Sequence, residues 1–272
     1  QVTAAGLDRR IDAPTHDREF DRLITVFNEM MDRLEKSFEQ AVRFSADASH
    51  ELKTPLTIMQ GELERALEAA APESEQQRVC VGLLEEIQRL KSIVQKLLLL
   101  SQADAGQLRL SAEPVDLSEM VEEICEDARL LAPGLKVESQ IQPDLVVDAD
   151  PDLLSHVLRN LLSNAVKYNV EDGWIRLELM RDRDCAQIRI ANSGPSIQGE
   201  DRRRIFERFH RVQAPQGVKI EGVGLGLGLA REIARAHGGE LRLEEGAADS
   251  VSFLVSLPAG SCEEGASPIP PV

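Results

Sequence analysis

The sequence predicts a multi-domain α and α/β protein. A helical hairpin that forms a four-helix bundle in a dimer comes first, and an α/β sandwich follows. Three observations predict this. The chain has 272 residues, 42% of them apolar, enough for roughly two domains. Aromatics are only 3%, so the cores must be built from Leu, Ile, Val and Ala, which favours long helices and helix–sheet layers. Long heptad seams fill the N-terminal part and give way near Asp104 to short alternating runs broken by Gly and Pro.

The helical part is read first. Phe20, Leu23, Phe27, Met30 and Leu34 alternate steps of three and four, the seam of a coiled coil, with Thr15 or Asp17 after Pro14 available as a cap. After a phase slip near Ser37 the seam resumes at Phe38 and Val42. It continues through Leu52, Leu56, Met59, Leu63 and Ala66. Ala70-Ala71-Pro72-Glu73-Ser74 breaks the pattern, and Leu83, Ile87, Leu90, Val94 and Leu97 form a second seam. Two amphipathic helices joined by a short turn make an αα-hairpin. One hairpin cannot bury both seams together with Leu84 and Leu98, whereas two can, which predicts a homodimer.

From Asp104 onward the elements are short. Leu117–Leu131 reads as a helix, and Leu135–Ile141 and Leu145–Val147 as strands. A helix spans Asp152–Tyr168, with Asp152 near its start. Trp174–Met180 and Ala186–Ala191 alternate as a hairpin with Asp182 and Asp184 in the turn. Arg202–Phe209 is a short helix, a Gly-rich stretch leads into a helix from Gly226 to His237, and strands Leu241–Glu244 and Val251–Leu257 close the unit. Strands mixed with helices on one side make a sandwich. Gly265–Val272 is rich in Pro and Ser and reads as disordered.

Charge and cysteine usage exclude several functions. Lys and Arg number 31 against 47 Asp and Glu, a net charge of −16. So acidic a chain needs a concentrated basic face to hold a polyanion, and Arg202-Arg203-Arg204 beside Glu200 and Asp201 reads as a solvated helix face, so nucleic acid is not expected as a partner. Cys80, Cys125, Cys185 and Cys262 lie far apart with no paired ligand spacing, as isolated reduced thiols do. No run of about 18 apolar residues is present, and the N-terminus shows no signal peptide.

His50 lies two residues before the seam position Leu52, which puts it roughly 200° away on the solvent face of the helix. Glu51 adjoins it, Thr54 is one turn on, and Pro55 removes the hydrogen bond to the residue 51 carbonyl, a defect of roughly 3 kcal/mol in a helix interior. Neutral imidazole is a nucleophile near neutral pH, and a neighbouring carboxylate can take its proton. The run Phe44-Ser45-Ala46-Asp47-Ala48-Ser49-His50-Glu51-Leu52-Lys53-Thr54-Pro55-Leu56 resembles the phosphoacceptor motif of sensor histidine kinases. By that resemblance His50 accepts the γ-phosphoryl group of ATP on a ring nitrogen and Glu51 is its general base. Thr54 stands where the family orients water for dephosphorylating the partner.

A second site carries no G-x-x-x-x-G-K-[ST] string, which excludes a P-loop. Asn160 and Asn164 are one helical turn apart and face the same way, and amide oxygens are hard ligands suited to Mg2+. Lys167 and Tyr168 extend the same helix. Gly222-Val223-Gly224-Leu225-Gly226-Leu227-Gly228 places glycines at alternate positions before a helix, where backbone N–H groups can approach phosphates. In order, these segments resemble the ATP-binding domain shared by histidine kinases, gyrase and mismatch-repair ATPases. Asn160 to Tyr168 is similar to the N box, Asn192-Ser193-Gly194-Pro195-Ser196-Ile197 to the first glycine box, Ile205-Phe206-Glu207-Arg208-Phe209 to the F box, and Gly222 to Gly228 to the second glycine box. The resemblance implies that Asn160 and Asn164 hold Mg2+ and that Lys167 and Arg211 approach the phosphates. It also implies that Tyr168 lies against the nucleotide and that Arg211 to Val223 forms a lid.

Two positions depart from the pattern: Asn192 replaces the usual aspartate that accepts from the adenine amino group, and Ser196 replaces a glycine. An uncharged amide oxygen still accepts that bond, more weakly. The Asn-x-Gly form and the Ala46-Asp47-Ala48-Ser49-His50 stretch resemble the heavy-metal-sensing branch of the family. Residues 7–36 resemble the end of a HAMP linker, with a plain coiled coil as the alternative. The expected organisation is 1–37 linker and coiled coil, 38–103 dimerisation and phosphotransfer hairpin, 104–260 catalytic ATP-binding domain and 261–272 tail. The resemblance implies an autophosphorylating kinase that serves the receiver domain of a response regulator. It further implies a cytoplasmic fragment of an inner-membrane receptor, tied to the membrane only through a missing N-terminal segment. A kinase-impaired scaffold or phosphatase, and a gyrase-type ATPase, are the alternatives.

Overall fold

A computed structural model describes residues 22, 24, 28–30, 51–212, 222–244 and 249–259. His50, most of the seam from Phe20 to Val42, most of the segment expected to be a lid, Cys262 and the C-terminal tail lie outside the described residues. The chain divides into two compact units at Arg109–Leu110.

The first unit is a helical hairpin of α1, residues 51–69, and α2, Glu75–Asp104. Pro55 sits within the α1 run, so the Glu51 carbonyl has no N–H one turn on to accept from. The Ala-Pro-Glu-Ser break forms the turn because its ends are capped locally. The Ser74 hydroxyl accepts the Gln77 N–H at 3.1 Å, and Gln77 Oε1 accepts the N–H of Glu73 at 2.6 Å, a near variant of the capping box. Lys91 Nζ donates to Gln60 Oε1 at 2.6 Å across the hairpin.

Packing splits each expected seam in two. Leu56, Cys80, Ile87 and Leu100 are buried within the hairpin. Leu52 and Met59 on α1, and Leu83, Leu90 and Leu97 on α2, stay 42–49% exposed. Their spacing of seven residues lines each set up along one stripe.

The second unit is a two-layer α/β sandwich. Its five-stranded sheet has the order β2-β4-β5-β7-β6, with β2 (Lys136–Ile141), β4 (Trp174–Asp182), β5 (Cys185–Ser193), β6 (Glu240–Leu243) and β7 (Ser250–Pro258). β2 runs parallel to β4 and every other neighbour is antiparallel. Helices α3 (Leu117–Leu131), α4 (Pro151–Lys167) and α6 (Gly226–Ala236) pack on one face. That face supplies Ile175, Leu177, Leu179, Ile188, Ile190 and Val255, all at most 1% exposed. The other face is polar: Arg189 joins Glu178 at 2.6 Å and Glu244 at 2.7 Å, and Ser252 donates to Glu244.

Several elements differ from the sequence expectation. β1 (Glu113–Asp116) pairs antiparallel with β3 (Val146–Ala149) in a small second sheet, although Glu113-Pro114-Val115-Asp116 has no strand signature. The helix α4 begins at Pro151, one residue before the expected start, with Asp152 in its first turn, and its cap is Asp150, whose carboxylate accepts the Leu153 N–H at 3.0 Å. The β4–β5 turn is Arg183-Asp184 alone, since Asp182 still pairs with Cys185. The helix expected over Arg202–Phe209 is only α5, Asp201–Arg204, and Phe209 has φ +60°, which a helix cannot continue through.

Candidate functional site

Four segments far apart in sequence meet at the end of the sandwich where α4 closes and α6 opens. Asn160 lies on α4, and a Cβ added to Gly226, the first residue of α6, would lie 2.1 Å from Asn160 Oδ1. The amide and the helix start therefore touch only because residue 226 has no side chain. Asn160 Nδ2 is buried with no hydrogen-bond partner. No side chain caps the N-terminus of α6, so its leading N–H groups stay available to an anion.

The other boxes close around the same pair of helices. A Cβ on Gly194 would lie 2.5 Å from the Tyr168 carbonyl, which seats the first glycine box against the end of α4. A Cβ on Gly228 would lie 2.9 Å from the Phe206 carbonyl, placing the F box against α6. Phe209 donates its N–H to the Gly224 carbonyl at 2.8 Å; both residues have positive φ, +60° and +74°. The Phe206 ring meets Phe253 edge-on at 6.4 Å, and the Arg231 guanidinium lies over its other side at 4.6 Å. Burial, helped by Arg235, holds Arg231 below the ordinary guanidinium range.

Asn164 and Tyr168 are half-buried, and Lys167 and Arg211 are exposed. Leu225 is buried at the cap of α6, Leu227 is half-buried and Gly222 is exposed. The Ile197 carbonyl accepts from Arg202, which also donates to the Glu244 carbonyl at 3.0 Å, so Arg202 ties the loop to the sheet and is not a solvated face. Glu51 and Thr54 are exposed on α1 in the other unit.

Asn192, at the end of β5, is 3% exposed and donates from Nδ2 to the Ser193 carbonyl at 2.8 Å. Next to it is a cluster that sequence reasoning missed. Ser193 Oγ donates to Asn169 Oδ1 at 2.6 Å and accepts from Trp174 N–H at 2.7 Å, while Asn169 Nδ2 reaches the Ala165 and Trp174 carbonyls. Gly173 is required there, since a Cβ would lie 2.1 Å from Asn169 Oδ1.

A second missed feature pins the far ends of the two helices. The Asp150 N–H donates to His237 Nε2 at 3.0 Å, and His237 Nδ1 meets the Ile233 carbonyl at 2.8 Å, a pattern that sets the neutral Nδ1–H tautomer. Burial pushes the Asp150 carboxyl up, but the Leu153 and Ser111 N–H groups that donate to it outweigh burial and hold the carboxyl below its usual value. The only available signal was Asp before Pro-Asp, a helix-start pattern; nothing local pointed to His237.

Comparison with known proteins bears on the family. Residues 149–261 match the family model "Histidine kinase-, DNA gyrase B-, and HSP90-like ATPase", and residues 40–106 match the "His Kinase A (phospho-acceptor) domain". The probable sensor protein PcoS of Escherichia coli is 34% identical over 244 residues, 90% of this chain and 52% of that protein. Sensor protein CutS of Streptomyces coelicolor is 33% identical over 259 residues, 94% of this chain and 62% of that protein. The chain thus spans little more than half the length of these relatives. Among solved structures, full-length ShkA in complex with AMPPNP aligns at TM-score 0.67 and 26% identity over 81% of this chain and 46% of that one. The Acinetobacter baumannii histidine kinase AdeS aligns at TM-score 0.55 and 26% identity over 77% of this chain and 98% of that one. With a phospho-acceptor hairpin followed by a nucleotide-binding sandwich, the chain belongs to the sensor histidine kinases, in the branch that the Asn-x-Gly box resembles.

Proposed function

We propose that this chain is the catalytic portion of an ATP-dependent, autophosphorylating protein-histidine kinase whose phosphoacceptor is His50. The observation that carries the reading is the meeting of four sequence-distant boxes at one place: Asn160 with Gly226, Tyr168 with Gly194, Phe206 with Gly228 and Phe209 with Gly224. An orphaned buried amide beside an uncapped helix start is suited to a phosphate-bearing ligand and its cation.

In this reading Asn160 and Asn164 hold Mg2+, which would offset phosphate charge. Lys167, Arg211 and the α6 N–H groups bind phosphate oxygens, and Tyr168 and Ile197 flank the base. The γ-phosphorus–oxygen bond to the β-phosphate breaks and a phosphorus–nitrogen bond to His50 forms, leaving ADP. Glu51 takes the imidazole proton. The phosphoryl group then passes to an aspartate of a response regulator, and Thr54 serves the reverse, dephosphorylating step. The exposed stripe Leu52, Met59, Leu83, Leu90 and Leu97 is the face that pairs two hairpins in a homodimer. The parent protein is an inner-membrane receptor; among the described residues no helix is long and apolar enough to cross a membrane.

Phosphate transfer from labelled ATP–Mg2+ to the purified chain tests this. Acid-labile label on the parent and none on His50→Gln is expected. A folded, dimeric parent that takes no label would instead favour a scaffold or phosphatase, a reading motivated by Asn192 and Ser196.

A further inference from the structure

We propose that Arg202 is a positioning residue, whose guanidinium pins the loop of residues 195–199 to the end of β6 and so presets one wall of the nucleotide site before any ligand arrives. The role of that loop in binding rests on the nucleotide reading above; the pin itself does not.

The loop has few other hydrogen-bonded ties. Pro195, Gln198 and Gly199 are exposed, and Ser196 and Ile197 are half-buried. The Gln198 side-chain amide donates to Ser196 Oγ at 3.1 Å, a bond internal to the loop. Among the described residues, a single hydrogen bond joins residues 195–199 to the rest of the domain, from Arg202 Nη1 to the Ile197 carbonyl at 3.4 Å. Nη2 of the same guanidinium donates to the Glu244 carbonyl at 3.0 Å. A planar fork fixes the separation of its two acceptors, whereas an ammonium is a point charge on a flexible stem.

The supports of this bridge are firmer than the loop it holds. The Glu244 N–H donates to the Ser252 carbonyl at 2.9 Å, and its carboxylate accepts from Arg189 at 2.7 and 3.0 Å and from the Ser252 hydroxyl at 2.6 Å. Helix α5, which carries Arg202, is held as well. Ile205 at its end is 6% exposed, and the Asp201 carboxylate lies 2.9 Å from His210 Nε2. A fixed strand end and a fixed helix therefore grip a loosely tied loop through one side chain. A loop already in place costs a ligand less ordering entropy than one that must be captured on binding. Ile197 flanks the base in the reading above, while Asn160 and the start of α6 belong to other elements. Loss of the pin should therefore weaken the ground and transition states alike, which raises KM and leaves the maximal rate unchanged.

The test compares the full chain with Arg202→Met, Arg202→Lys and, as a control for charge, Arg203→Met, whose side chain is exposed. Without nucleotide, Arg202→Met should exchange the amides of residues 195–199 faster than the parent while melting close to it. In autophosphorylation its KM for ATP should rise about fivefold with the maximal rate unchanged. Arg202→Lys should resemble Arg202→Met, and Arg203→Met should resemble the parent. Unchanged exchange in Arg202→Met overturns the pin. Faster exchange with an unchanged KM, or with a loss confined to the maximal rate, overturns the positioning role. Parental exchange and KM in Arg202→Lys would show that charge suffices and overturn the bridge. A parent that neither binds ATP nor takes label overturns the nucleotide reading itself, and the exchange comparison still decides the pin.

Discussion

Gly226 and Asn160 touch: the space a Cβ would occupy at residue 226 lies 2.1 Å from Oδ1 and 2.9 Å from Cγ of the amide. The obstructing atoms belong to a side chain that can rotate. Gly226→Ala should therefore fold, melting close to the parent, while displacing Asn160 and weakening nucleotide–Mg2+ binding by about tenfold. Gly224→Ala is the contrast. Its φ is +74° and its Cβ would meet backbone atoms of Phe209 and His210 at 2.7–3.0 Å, so it should lose about 1–3 kcal/mol of stability. Equal melting points for the two variants would contradict this division.

Asp150 couples fold stability to acid. Its carboxyl is held below the ordinary aspartate value, so its contribution is complete above about pH 4 and is lost as pH falls through the depressed value. Asp150→Ala removes the α4 cap, costing about 0.5–2 kcal/mol at neutral pH, and should flatten the acid limb of the melting curve. An unchanged acid slope would show that other carboxylates set it.

Arg231 and Phe206 should couple. A double-mutant cycle of Arg231→Met with Phe206→Leu is expected to give about 0.5–1 kcal/mol in urea unfolding. A cycle that closes at zero would mean packing alone places the guanidinium.

The thiols should differ in reactivity. Burial pushes Cys125 up to about 11, against the lesser pull of Arg129 and Ser139, whereas Cys185 is partly exposed. Iodoacetamide should label Cys185 in the native protein and reach Cys125 only after denaturation. Native labelling of Cys125 at near-neutral pH would contradict its burial on the inner face of α3.

The leucine stripe predicts assembly. Leu90 is 42% exposed between Leu83 and Leu97, and Leu90→Glu should yield a monomer by light scattering where the parent is a dimer. A variant that stays dimeric would move the interface elsewhere.

Local signals carried much of this molecule. Leu117–Leu131 was legible to the residue because Asp116 and the apolar period mark it from within, and the four boxes were legible in order and residue type. The short α5 was misread because the apolar run continues through Ile205 and Phe206, while the turn at Phe209 depends on the Gly224 carbonyl, a partner outside any local window. β1 was missed for the same reason: its ladder partner β3 lies beyond a whole helix.

By itself the sequence determined which side chains are available and where helices start, since caps, proline and heptad spacing act over a few residues. Tertiary structure alone decided which half of each seam is buried, that His237 would pin Asp150, and that Asn192 would point its donor at Ser193. Those outcomes depend on close approach of distant backbone and on unmet hydrogen-bonding groups, which exist only once the layers are packed.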